Sequence, residues 1–402
     1  MKNTRNITKD LIYIGTNDRK LSLFESVYPV PNGISYNSYL LLDEKTVLFD
    51  TVDKSTEEHF FENLEYALGG RKLDYLIVNH MEPDHSAMIS RVLNLYPELK
   101  IVCNQKAKQM ANQFFNTENL SEENFYLIKE GDTLNTGNHE LTFMMAPMVH
   151  WPEVMTTYDK TDKILFSADA FGSFGAINGN LFDNEVDFKN LIPEYARYYT
   201  NIVGKYGMQV NMLLNKAKNI EIKTICPLHG LILKENIETV IEKYHNWANY
   251  ISSVNSALII YTSVYGATQN TAEILANNLA KLGLKNIKLY DASLTHHSYI
   301  ISDIFDYSNI IIATTTYNNG IFVNMENLIN EIISHNIQNK VWSVIENGSW
   351  APVCGNLVRE KISQIKNSTV LDKKVTIKSA PNSTTYDELK ELAEEIFKTI
   401  NQ

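Results

Sequence analysis

The 402-residue sequence predicts a two-domain chain of mixed α/β and α+β class, with domains at 1–253 and 254–402. Three observations predict it. The length exceeds that of an ordinary single domain, so two cores are the default. Residues 254–402 alternate apolar strand-like runs with helical runs at regular spacing, the pattern of a doubly wound parallel sheet of five strands. Residues 1–253 instead mix hairpin-like pairs with helices, and four of their apolar strands end on potential metal ligands.

Composition narrows the function classes. Hydrophobic residues make up 44% of the chain and charged residues 21%, a balance that fits a globular protein with ample cores. The net charge of −11 argues against nucleic acid and anionic membrane surfaces as partners. The start, Met1-Lys2-Asn3-Thr4-Arg5-Asn6, is not followed by an apolar signal-peptide core, and no run reaches the roughly 18 apolar residues of a membrane span. Cys103, Cys226 and Cys354 are far apart and form no C-x-x-C. That usage fits a reducing cytoplasm and excludes an iron–sulfur or rubredoxin module within these 402 residues.

In the first domain, residues 36–42 and 46–50 flank an Asp-Glu-Lys turn and read as a hairpin. Residues 57–68 have helical spacing, and 74–78 read as a strand. Further helices are expected at 86–95, 105–115 and 235–252, with a strand at 100–103. Just past residue 78 stands His80-Met81-Glu82-Pro83-Asp84-His85, two imidazoles and two carboxylates in six residues. A tight loop at a strand end can aim several donors inward while the strand holds it. Imidazole with carboxylate and no thiolate suits iron, manganese or zinc rather than a structural cysteine–zinc site.

Three more ligands stand at strand ends: His150 after 140–145, Asp169 after 163–167, and His229 after 223–228. Singly, each is as well explained as a hydrogen-bonded structural residue or a turn residue. Four ligand-bearing strand ends in one half-chain point instead to a shared rim. The remaining histidines, at 59, 139, 245, 296, 297 and 335, read as surface or packing residues.

In the second domain, strands are expected at 257–261, 287–290, 310–313, 341–345 and 374–377, with the clearest helices at 271–282 and 388–400. Ligands of such sheets sit beyond the carboxyl ends of the strands. The first of these loops, Thr262-Ser263-Val264-Tyr265-Gly266-Ala267-Thr268, opens into a helix and offers hydroxyls and free backbone N–H groups to a phosphate. No Gly-x-x-x-x-Gly-Lys and no Gly-x-Gly-x-x-Gly is present, which argues against nucleoside triphosphates and nicotinamide dinucleotides. Two later loops carry Thr315-Thr316-Tyr317-Asn318-Asn319-Gly320 and Asn347-Gly348-Ser349-Trp350. Tyr317 and Trp350 offer flat faces to a ring system.

The His-x-Glu-x-Asp-His motif, followed by a His, an Asp and a His at successive strand ends, resembles the metallo-β-lactamase-like domain of flavodiiron proteins. The three loops of the second half resemble the flavodoxin-like domain of the same family. Two positions depart from its common pattern: Ala267 replaces a usual Asn, and Thr315 stands where Pro is common. The resemblance covers nearly the whole chain. It implies a metallo-β-lactamase-like αββα sandwich followed by a flavodoxin-like doubly wound sheet.

The resemblance also implies FMN and two iron ions as cofactors. His80, Glu82 and His150 would hold one iron, Asp84, His85 and His229 the other, and Asp169 would bridge them, with His85 the ligand open to replacement by water. Hydrolytic relatives of this fold usually carry His where Glu82 stands and bind zinc. Glu82 adds a negative charge that favours higher oxidation states of iron. Tyr198 and Tyr199, between Asp169 and His229, read as an aromatic pair packing a helix, with a place in the wall of a gas pocket as the alternative.

The implied activity is a cytoplasmic flavodiiron oxidoreductase that reduces dioxygen to water, nitric oxide to nitrous oxide, or both, with oxygen favoured. Electrons would come from rubredoxin or a related external carrier, and the assembly would be a head-to-tail homodimer or a tetramer built from such dimers. The competing readings are a metal-dependent hydrolase with a flavodoxin-like binding domain, and an electron carrier whose metal domain is structural.

Overall fold

Residues 36–50 form the expected hairpin, pairing Tyr39–Leu42 antiparallel with Thr46–Phe49. In this computed structural model, which describes residues 2–115, 120–252 and 254–400, that hairpin lies inside a seven-stranded sheet. Arg5–Asn6 and Leu11–Tyr13 extend it antiparallel on one side. Tyr75–Ile77, Lys100–Cys103 and Phe125–Leu127 extend it in parallel on the other.

A second sheet takes Thr133–Asn135, Glu140–Met145, Met155–Asp159, Ile164–Phe166 and Thr224–Cys226 in that order. One apolar core joins the two sheets, drawing Leu41, Phe49 and Ile77 from the first and Phe143, Met155 and Phe166 from the second. Phe49 and Phe166 stack across it with ring centroids 3.7 Å apart and planes 9° apart. The strand directions set the site. Glu140–Met145 and Ile164–Phe166 both run antiparallel to Met155–Asp159, and Thr224–Cys226 runs parallel to Ile164–Phe166. The carboxyl ends of these three strands therefore share one edge, where His150, Asp169 and His229 follow.

The second unit has the parallel order Ile287–Asp291, Val254–Tyr261, Tyr307–Tyr317, Val341–Asn347, Thr369–Ile377. Numbered along the chain this is 2-1-3-4-5, the doubly wound flavodoxin-like order. All five expected strands are present. Gly320–Ile321 folds back antiparallel on Tyr307–Tyr317. Ile259, Ile311 and Ile345 from the sheet are buried with Leu275, Leu389 and Leu392 from the helices Ala267–Lys281 and Ser383–Ile400. The register brings Tyr261 beside Ala313 and Thr315 beside Asn347, so the three predicted loops leave one edge.

The structure corrects several boundaries. Ala267–Lys281 begins four residues before the expected 271, directly after Gly266, whose φ of 88° provides the turn. Ser383–Ile400 begins five residues before the expected 388, and the Asn382 side chain accepts from the Thr385 amide. Both first turns are polar, so apolar periodicity starts too late to mark them. The expected helix at 86–95 is two pieces, Pro83–Ser86 and Ile89–Leu95. The strand Met155–Asp159 was not foreseen, because its buried centre is Thr156 and Thr157 rather than an aliphatic run.

One compact unit comprises Met1–Tyr199 with Tyr206–His245, and the other Thr200–Lys205 with Asn246–Gln402. The expected boundary residue, 253, lies outside the described residues. Among the described residues, no helix is long and apolar enough to cross a membrane.

Candidate metal centre and flavin pocket

The structure brings all seven predicted ligands of the first unit together, and all are buried. Tyr75–Ile77 delivers His80 and Glu82, and the short helix Pro83–Ser86 that follows carries Asp84 and His85. Asp50 fixes this segment from below, accepting from the backbone N–H groups of Asn79 at 2.7 Å and His80 at 3.2 Å. The other strand edge delivers His150, Asp169 and His229.

The donors form two groups. Ligating atoms of His80, Glu82, His150 and Asp169 lie within 4.8 Å of one another, as do those of Asp84, His85 and His229. Asp169 faces both. Its Oδ2 is 3.0 Å from His150 Nε2 and 3.5 Å from His80 Nε2, while Oδ1 is 3.3 Å from His85 Nε2. Glu82 Oε2 lies 3.2 Å from His80 Nε2 and 3.1 Å from His150 Nε2. Asp84 Oδ2 is 3.3 Å from both His85 Nε2 and His229 Nε2, and those two nitrogens are 3.0 Å apart.

The far ring nitrogens decide which tautomers are held. His229 Nδ1 donates to the Ser35 carbonyl at 2.7 Å, leaving Nε2 for the site. His80 Nδ1 is 2.7 Å from Glu153 Oε1, which leaves its Nε2 free in the same way. Glu153 is a residue that sequence reasoning missed, although it stands three positions after His150. Burial pushes the Asp84 carboxyl up to about 7. Burial opposes ionisation of Asp169 too, but the charges of His80 and His85 and the His150 hydrogen bond outweigh it and hold that carboxyl well below its usual range. Among the described residues, both Asp84 oxygens and Asp169 Oδ1 are buried without a hydrogen-bond partner, a cost that a bound cation removes.

Aromatic rings enclose these groups. Phe24 lies edge-on to His229 at 5.4 Å, and Trp151 lies edge-on to His80 at 5.4 Å. Tyr198 lies against His229 at 5.5 Å, so it lines the site, whereas Tyr199 packs on Tyr244. A third cluster, His139 with Asp159 and Asp162, lies elsewhere. Both His139 nitrogens are engaged there, at 2.8 Å from Asp159 and 3.5 Å from Asp10, so it reads as a buried ion-pair network.

In the second unit the three loops line a cavity of about 560 Å³, within the usual range for cofactor sites. Ser263, Val264, Tyr265, Ala267 and Thr268 line it from the first loop. Thr315, Thr316, Tyr317, Asn318 and Asn319 come from the second, and Asn347, Gly348, Ser349 and Trp350 from the third. Three predicted residues stand off the wall. Thr262 is buried with its hydroxyl 2.8 Å from that of Thr314, Gly266 makes the turn into the helix, and Gly320 pairs with Tyr317. Ala351, the next residue of the third loop, lines the cavity too, as do Ser379 and Ala380, which were not foreseen. Asn347 ties the loops together, donating to Thr268 Oγ1 and to the Ser379 carbonyl, each at 3.2 Å.

Comparison with known proteins agrees with this geometry. The family model described as ODP family beta lactamase matches residues 34–230, and the flavodoxin model matches residues 259–392. An uncharacterized protein of Methanocaldococcus jannaschii is 31% identical over 93% of this chain and 93% of its own length. A nitric oxide reductase of Moorella thermoacetica is 28% identical over 97% of each. The solved rubredoxin oxygen:oxidoreductase of Desulfovibrio gigas superposes with a TM-score of 0.93 at 26% identity, covering 99% of both chains. The flavodoxin match makes FMN the cofactor of the second unit, and the donor set of the first fits a pair of iron ions. With both domains matched in order and the relatives covered end to end, the chain belongs to the flavodiiron proteins, a family of oxidoreductases.

Proposed function

We propose that this oxidoreductase reduces dioxygen to water, with nitric oxide as a second substrate, using electrons from rubredoxin or a similar carrier. The observation that carries the reading is Asp169, whose two oxygens face two separate histidine–carboxylate groups. His80, Glu82 and His150 would hold one metal, Asp84, His85 and His229 the other, and Asp169 would lie between them. Residues 1–253 form the metal domain and 254–402 the FMN domain. When bound, the flavin and the iron pair would supply the redox chemistry for reduction of a gas.

The chain's own residues prepare that chemistry. Ser35 and Glu153 hold His229 and His80 in the tautomers that present Nε2. Glu82, Asp84 and Asp169 supply three carboxylates, which favour iron in its higher oxidation state. Phe24, Trp151 and Tyr198 cover the imidazoles and exclude water, a setting suited to small uncharged gases. In the second unit, Ser263, Thr268 and the amide groups at the start of Ala267–Lys281 receive the FMN phosphate. Tyr317 and Trp350, both in the cavity wall, would offer their faces to its ring. Tyr265 and Trp350 are 97% and 92% exposed at the rim, which supports a head-to-tail homodimer, or a tetramer of such dimers, in which a neighbouring subunit covers the flavin.

The test is turnover of iron-loaded, FMN-loaded protein with reduced rubredoxin, comparing dioxygen and nitric oxide on one preparation. Fast oxygen loss with water as product supports the reading. Faster loss of nitric oxide reverses the substrate order, and turnover of neither gas refutes the proposal.

A further inference from the structure

The two halves of the metal centre are anchored by different chemistry. On one side His229 Nδ1 donates to a neutral backbone carbonyl, that of Ser35, at 2.7 Å. His85 Nδ1, on the same side, is buried with no hydrogen-bond partner among the described residues. On the other side His80 Nδ1 meets a carboxylate, Glu153 Oε1, at 2.7 Å. Both side chains are fully buried. Glu153 Oε1 also accepts from the Met81 backbone N–H at 2.9 Å, so one oxygen fixes both the ring and the segment between His80 and Glu82. Its second oxygen, Oε2, is buried with no hydrogen-bond partner among the described residues, so the Met81 N–H is the one other donor that shares the carboxylate with His80 there.

We infer that Glu153 is a positioning residue that makes the His80 side of the centre the more electron-rich, so that the ion held there is the last to be reduced. The inference rests on the two-iron reading above. A carboxylate behind a ligating imidazole increases the donor strength of the ring, and a carbonyl does so less. Added electron density favours the ferric ion at His80, Glu82 and His150 over its neighbour. Reduction of the pair then proceeds in two steps. Each step transfers one electron from the reductant to one ferric ion, and the half-reduced state keeps its ferric ion beside His80.

The experiment is a dithionite titration of the full, iron- and FMN-loaded chain, following the half-reduced iron signal by electron paramagnetic resonance. Glu153→Gln keeps an oxygen acceptor for both N–H groups and removes the charge. In this variant the second reduction step shifts to higher potential more than the first, so the half-reduced signal spans a narrower window. FMN content and melting temperature match the wild type. Glu153→Leu removes the acceptor as well, and its iron affinity, read by chelator competition, falls about 10- to 100-fold. A titration of Glu153→Gln that matches the wild type, or that moves only the first step, overturns the inference. So does a Glu153→Leu protein that holds iron as tightly as the wild type. If Glu153→Leu does not fold, the Glu153→Gln titration decides alone. A wild-type protein that takes up no iron would instead defeat the two-iron reading itself, an outcome visible before any variant is made.

Discussion

Asp169 Oδ2 lies 3.0 Å from His150 Nε2, while Oδ1 of the same carboxylate turns toward His85 Nε2 at 3.3 Å. One side chain thus reaches both donor groups. Asp169→Asn keeps the shape and removes the charge. The expected result is loss of iron from both positions, with FMN retained at one per chain. Gas turnover should fall by more than the roughly 100-fold that loss of an outer-shell partner costs. Metal and flavin analysis of the purified variant checks this.

Asn347 joins the first and third flavin loops to the segment at Ser379 through hydrogen bonds of 3.2 Å. Asn347→Ala removes them without touching the first unit. FMN should bind about tenfold more weakly, a loss of about 1.4 kcal/mol, since each of the three bonds is worth about 1 kcal/mol net and only part of that order reaches the flavin. Titration of the apoprotein with FMN, read by quenching of flavin fluorescence, measures the change. Iron content should stay at two per chain.

The strands that carry the site were legible because their apolar runs end abruptly in His, Asp or Glu. The rim was legible only as a convergence, since no residue pattern states which strands are neighbours. Glu153 was missed because its meaning lies in a contact with His80, 73 residues away in sequence. Ser379 and Ala380 were missed for a related reason. They follow the fifth strand, whose loop carries neither aromatic nor glycine to mark it. Thr156 and Thr157 hid a central strand, because buried threonines break the apolar signal while keeping β-branched geometry.

Phe49 and Phe166 stack across the joint between the two sheets of the first unit. Phe49→Ala should destabilise that unit by about 3–5 kcal/mol, the usual cost of emptying a buried aromatic site. Urea unfolding should show iron released at lower denaturant, with the FMN-release transition of the second unit unmoved, because its core is separate. Equal displacement of both transitions would show that the cores unfold as one.

Asp43 ties the hairpin turn of the first sheet to the second. It accepts from Thr136 Oγ1 at 2.7 Å, from the Asn138 side chain and backbone at 2.8 Å, and from the His139 backbone at 3.0 Å. Burial alone would raise its carboxyl, but these hydrogen bonds outweigh burial and hold it far below the ordinary carboxylate range. A depressed carboxylate stabilises the fold fully above the unfolded value of about 4, and the contribution is lost as pH falls toward the folded value. Asp43→Asn should therefore cost about 2–3 kcal/mol at pH 7. The gap to the wild type should shrink as pH falls below about 4. Denaturant melts at pH 7, 5 and 3 test the sign, and a gap that widens in acid would contradict it.

In the proposed function, electrons leave the protein through the centre around Asp169 and not directly from the flavin. This route is tested most directly by reducing iron- and FMN-loaded protein without oxygen, mixing it with dioxygen, and following flavin re-oxidation and hydrogen peroxide together. Rapid re-oxidation with no peroxide is expected in the wild type, and slow re-oxidation in Asp169→Asn, with peroxide from the flavin alone. Equal rates and equal products in the two proteins would contradict it.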